Sequence, residues 1–95
     1  MDAETQKKAT HRLRRIAGQV EGIQRMLEQD RYCVDVLLQV AAVRAALDKV
    51  GKVILGAHVE TCVAAAFASG KRREREQKME ELMEVFSRFG ALSGR

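Results

Sequence analysis

Three side chains in this sequence have the chemistry of metal ligands: Cys33, His58 and Cys62. His58 and Cys62 stand at i and i+4, which on a helix puts both on one face, one turn apart. Two ligands at that spacing can reach one ion. The pair alone is a weak signal. A cysteine on an apolar helix is more often inert core, and a lone histidine is more often a hydrogen-bonded side chain. Cys33 changes the weighing. On one continuous helix it lies roughly 37 Å from His58, so the three cannot share an ion within one chain. A second subunit packed antiparallel can bring its own His58 and Cys62 to the first subunit's Cys33. Such a site spans a subunit interface.

Two thiolates and one imidazole make a soft, low-coordinate set. Thiolates favour Cu(I), Zn(II) and iron–sulfur centres. Three ligands without an evident fourth suit trigonal Cu(I) better than structural zinc, which takes four. Tyr32, beside Cys33, and a carboxylate of the third helix are candidates for the groups that orient the ligands. The plainer reading of Tyr32 is a half-buried turn residue.

The elements that must carry these residues read as helices. The 95-residue chain lacks proline, has 4% aromatic and 32% charged residues, and suits an all-α fold. Its length corresponds to one domain over residues 1–95. A chain this short buries a modest core. Leu13, Ile16, Val20, Ile23 and Leu27 recur at steps of three and four and predict a first helix, with Thr5 as its cap and an end near Gln29. Gly18 and Gly22, four apart, suggest close approach of another helix. Gln29 to Tyr32 reads as a turn. A second helix begins near Cys33 and ends at Ser69-Gly70, with Gly51 and Gly56 as places for a bend. From Val34 to Ala68 it carries only six charges, Asp35, Arg44, Asp48, Lys49, Lys52 and Glu60. A helix apolar on nearly every face is buried on several sides, and partner subunits are the expected cover. Charges interrupt every 18-residue stretch, which argues against a membrane partner. A third helix starts in the charged run from Lys71 to Glu76, with Met79, Leu82, Met83, Phe86 and Phe89 as its apolar face. Ser93-Gly94-Arg95 is expected to fray. The picture is a long antiparallel hairpin plus a shorter third helix.

The amino terminus, MDAETQKKAT, is polar and reads as no secretory signal, so a cytoplasmic location with reduced thiols is expected. The formal net charge of +4 suits an anionic partner such as nucleic acid. Lys8, Arg12, Arg15 and Gln19 share one face of the first helix, and Arg44, Lys49 and Lys52 cluster on the second. A solvated polar face is the common explanation of such charges, and phosphate contact is the sharper one. No helix-turn-helix, zinc-finger or ribbon pattern is evident. Nor is there a catalytic constellation, so the chain does not read as an enzyme.

The segments HRLRRIAGQVEGIQRM from His11 to Met26, YCVDVLLQV from Tyr32 to Val40 and HVETC from His58 to Cys62 resemble the copper-sensitive operon repressor family. The likeness runs from about Lys8 to Phe89. It implies a three-helix subunit, an antiparallel dimer, a disc-shaped homotetramer, and binding of double-stranded operator DNA without a conventional recognition motif. Within the family, Cys33, His58 and Cys62 are similar to the Cu(I) pattern. Nickel and cobalt sensors carry His at the position of Cys62 and an amino-terminal His, where this chain has Asp2 and Ala3. Formaldehyde sensors carry Pro after the initiator Met and lack the second Cys. Persulfide sensors lack the His. The resemblance also implies ligand-orienting roles for Tyr32 and Glu81, and DNA contacts at Arg12, with Arg15 nearby, and Lys49. The expected function is an apo-repressor released from DNA by Cu(I), freeing copper-efflux genes. The alternatives are a persulfide or other thiol-reactive repressor of the same family, and a structural helical assembly without a DNA target.

Overall fold

The computed structural model describes the backbone of residues 1–93 and the side chains of residues 1–88. The side chain of Phe89, and Gly94 and Arg95, on which two sequence expectations fall, lie outside the described residues. Helix α1 spans Ala3–Glu28. Its cap is Asp2, not Thr5: Asp2 is extended, and its Oδ1 accepts the Thr5 backbone N–H at 3.3 Å. A cap must precede the helix so that its side chain can turn back to a free N–H, and Thr5 already lies inside the first turn. The hydrogen bond with Thr5 lowers the Asp2 pKa.

The helix closes in a Schellman turn. The N–H of Asp30 donates to Leu27 O at 3.1 Å and that of Arg31 to Met26 O at 2.9 Å. Asp30 takes φ of 54°, a left-handed conformation that Asp tolerates better than most residues. Helix α2 then spans Cys33–His58. It runs on through a π-helical turn, Val59–Val63, into α3, Ala64–Ala68. The three form one rod of 36 residues. The expected bend sites, Gly51 and Gly56, lie in regular α-helix, and the irregularity falls just beyond them. The rod ends at Gly70, whose φ of +73° reverses the chain. Ser69 Oγ lies 2.7 Å from Ala66 O and 2.9 Å from Glu74 Oε2, fastening the rod to α4, Arg72–Ser93.

Helices α1 and α2 pack as a hairpin around Ala9, Ile16, Val43 and Val50, with Ile23 and Ala46 beside them. The buried positions of α2, Val36, Val43, Val50 and Ala57, recur every seventh residue. The expected apolar face of α1 divides in two. Ile16 and Ile23 pack inward, whereas Leu13, Val20 and Leu27 remain exposed. Helix α4 folds back on α2, the π-turn and α3. Its half-buried stripe is Lys78, Leu82 and Val85, so Met79, Met83 and Phe86 of the expected face point to solvent.

The chain folds as a flat slab of 58 × 29 × 15 Å with a radius of gyration of 17.5 Å. A compact domain of about 100 residues has a radius near 13 Å. Its accessible surface is 7283 Å², against roughly 5,500 Å² for a compact monomer of this mass. By length and composition alone, the rod from Cys33 to Ala68 is apolar enough to cross a bilayer, a test that core helices of soluble proteins also pass.

Candidate metal centre and nucleic-acid face

Each expected metal ligand sits at a landmark of the rod. Cys33 is its first residue and is exposed. His58, half-buried, is the last residue before the π-turn, and Cys62 lies exposed within it. Among the described residues, no three His, Cys, Asp or Glu side chains of one chain converge on a metal position. That agrees with the length of helix between Cys33 and His58. Two thiols and an imidazole nevertheless remain a chemically coherent Cu(I) set, provided that two chains supply it.

The π-turn is a feature the sequence reading missed. Its backbone bonds reach one residue further back than in an α-helix, as from Ala64 N–H to Val59 O. Thr61 Oγ1 donates to Ala57 O at 2.8 Å and lies 3.7 Å from Cys62 Sγ. The available signal was Thr61 itself, since a mid-helix threonine bonding four residues back disturbs the helix locally.

Of the expected ligand-orienting residues, Tyr32 is the N-cap residue of α2, makes no side-chain capping bond and is 69% exposed, more open than a half-buried turn residue. Glu81 lies on α4 and pairs with Lys78 Nζ at 3.3 Å. In the isolated subunit neither makes a hydrogen bond to Cys33, His58 or Cys62.

The basic residues are brought together more fully. Arg12, Arg15 and Gln19 of α1 and Lys49 of α2 line one groove of about 370 Å³, floored by Ile16, Ala42, Ala45 and Ala46. Helix packing thus joins cations that lie more than thirty residues apart. A second basic recess on the outer side of α1 is lined by Lys7, His11 and Arg14. Among the described residues, none of the cations of α1 forms an ion pair. By contrast, Lys71, Arg72, Lys78 and Arg88 of the α4 region are each matched by a glutamate. Lys52 is matched by Asp48 at 3.0 Å. Arg73 and Arg75 of α4 stand outside these pairs, so unpaired positive charge lies on α1, on its groove with α2 and in the first turn of α4.

Proteins similar to this chain in sequence and fold are metal-responsive regulators. The chain is 51% identical over 80 residues to the copper-sensing transcriptional repressor CsoR of Bacillus subtilis, covering 84% of this chain and 76% of that protein. It is 40% identical over 86 residues to CsoR of Mycobacterium tuberculosis strain H37Rv, covering 90% and 70%. The crystal structure of CsoR with Cu(I) from Geobacillus thermodenitrificans superposes with a TM-score of 0.83 at 42% identity, covering 95% of this chain and 91% of that one. The nickel-responsive regulator InrS superposes with a TM-score of 0.73 at 43% identity, covering 87% and 90%. The profile of the metal-sensitive transcriptional repressors matches residues 5–88. With its helical rod, its thiol and imidazole donors and its unpaired basic groove, this chain belongs to that family.

Proposed function

We propose that the protein is a copper(I)-responsive transcriptional repressor whose apo form holds operator DNA and whose Cu(I)-bound form lets it go. The observation that carries this reading is the exposed stripe on the rod between its thiols. Val40, Leu47 and Ile54 recur at intervals of seven and remain 36%, 46% and 37% exposed. Two rods laid antiparallel about Leu47 pair Val40 with the partner subunit's Ile54. The same register sets Cys33 opposite the segment that holds the partner's His58 and Cys62. Burying the stripe therefore completes two donor sets per dimer, each from both subunits. Leu13, Val20 and Leu27 of α1 extend the apolar surface and suit a further pairing of dimers into a tetramer.

When bound, Cu(I) supplies a strong, low-coordinate link between one subunit's Cys33 and its partner's rod. The protein's own part is to hold Cys62 and His58 one turn apart and to present Cys33 from the other end. Arg12, Arg15 and Lys49 supply the phosphate contacts, with their groove carried on the same α1–α2 hairpin. A change in how two rods cross moves the grooves of the two subunits relative to each other and spoils their fit to the duplex. Linkage requires DNA to weaken Cu(I) binding by the factor by which Cu(I) weakens DNA binding.

The test is anaerobic titration of Cu(I) into the apo-protein bound to a fluorescent duplex selected by that protein from random DNA. Stoichiometric Cu(I) is expected to lower the anisotropy to that of free duplex. Release by persulfide and not by Cu(I) would assign the thiol-reactive alternative. Failure to select any duplex would leave a structural assembly.

A further inference from the structure

We propose that Thr61 is a positioning residue of the metal centre, acting through the π-turn that carries Cys62. This rests on the copper-responsive reading above and assigns a role to a side chain that binds no metal itself. Four residues overshoot one α-helical turn by about 40°. A π-turn holds more residues per turn, so it changes the angle at which residue i+4 stands relative to residue i. The turn over Val59–Val63 begins directly after His58 and includes Cys62. It therefore resets the angle between the imidazole and the thiol about the rod axis.

Thr61 supplies the side-chain bond within this turn. Its single hydroxyl proton goes to the Ala57 carbonyl at 2.8 Å, much the better placed acceptor. Cys62 Sγ at 3.7 Å lies at the margin of contact with the same oxygen. Ala57 is buried while Thr61 is exposed, so the bond ties an outer side chain to the inner backbone of the rod. The hydroxyl thus ties the backbone just before His58 to the residue just before Cys62. Thr61 is too exposed for its methyl group to be a core contact, which separates this role from simple packing.

The experiment compares the intact protein with Thr61→Val, which keeps the shape and loses the hydroxyl, and Thr61→Ser, which keeps the hydroxyl. Sedimentation first verifies equal assembly. Residues that orient ligands typically change metal affinity by about 10- to 100-fold. Thr61→Val is expected to lose about tenfold in Cu(I) affinity, read by competition with a calibrated chelator. Its X-ray absorption should shift from two sulfurs and one nitrogen toward two sulfurs alone. In the apo-protein, backbone amides of Val59–Val63 should exchange faster in the same variant. Thr61→Ser should restore all three readouts. Parental affinity and coordination in Thr61→Val would overturn the inference while leaving the copper reading intact. If the unaltered protein binds no Cu(I), the copper reading fails and the role of Thr61 falls with it. If Thr61→Val does not assemble, loss of Cu(I) affinity in assembled Thr61→Ser would equally count against the hydroxyl.

Discussion

Cys33, Cys62 and His58 differ in what each removal should do. Cys33→Ala and Cys62→Ala each delete a thiolate, and Cu(I) affinity should drop by more than about 100-fold, beyond the usual effect of an orienting residue. His58→Ala leaves two thiolates that can hold Cu(I) between them. It should bind the ion yet remain on DNA when Cu(I) is added, because in the proposed site the part-buried imidazole would be the link between the ion and the rod. Chelator competition paired with anisotropy measures both halves. Full Cu(I)-driven release by His58→Ala would place the coupling in the cysteines alone. On the DNA face, Arg12→Ala and Lys49→Ala should weaken duplex binding at every sequence, and each should reduce the logarithmic salt slope by about one. Arg72→Ala, removing a cation already paired with Glu76 at 2.9 Å, should change that slope little.

At the scale of the element, the corner between the rod and α4 is the most exacting local structure. Gly70 sits at φ of +73°. Gly70→Ala has open space for its methyl group, so its effect is conformational and should destabilise by about 1–2 kcal/mol in urea unfolding. The hairpin core is thin, with Ile16 among its few well-buried large side chains. Ile16→Ala should cost about 2–5 kcal/mol, enough to unfold a marginal subunit. The π-turn follows another logic. Neither Gly51 nor Gly56 marks it, because a helix tolerates isolated glycines at regular geometry. A backbone register is instead set by which donors reach which carbonyls, and Thr61 is one of those donors.

At the scale of the whole molecule, the exposed apolar surface is what the proposed assembly would cover. The chain's accessible surface exceeds that of a compact monomer by roughly a third, and much of the excess is apolar side chain, as at Leu37, Leu38 and Met83. Leu47→Glu places charges at the centre of the proposed antiparallel pairing. Sedimentation should then show smaller species, and the high-affinity Cu(I) site should vanish with its thiols intact. Subunit mixing gives a sharper test. Cys33→Ala and Cys62→Ala proteins, each deficient alone, should regain strong Cu(I) sites when refolded together. In the mixed dimer one site receives the intact Cys33 of one subunit and the intact His58 and Cys62 of the other. No recovery on mixing would show that the donors do not come from two chains.

The sequence alone determined the helical class, the hairpin with its third helix, and the boundaries near Cys33 and Gly70. Those rest on local signals: period, glycine placement, charge runs and the absence of proline. It also singled out Cys33, His58 and Cys62, because donor chemistry belongs to residue type and their separation follows from helical rise. Three things needed the tertiary structure. Which half of the α1 apolar set faces inward was hidden, because Leu13 and Ile16 have the same periodicity and only the packing of α2 separates them. The convergence of Arg12, Arg15 and Lys49 on one groove depends on how two helices cross, which no linear spacing encodes. The π-turn that follows His58 and contains Cys62 was hidden for the same reason. Pattern reading assumes a constant helical pitch, whereas the chain changes pitch at the segment that follows His58 and carries Cys62.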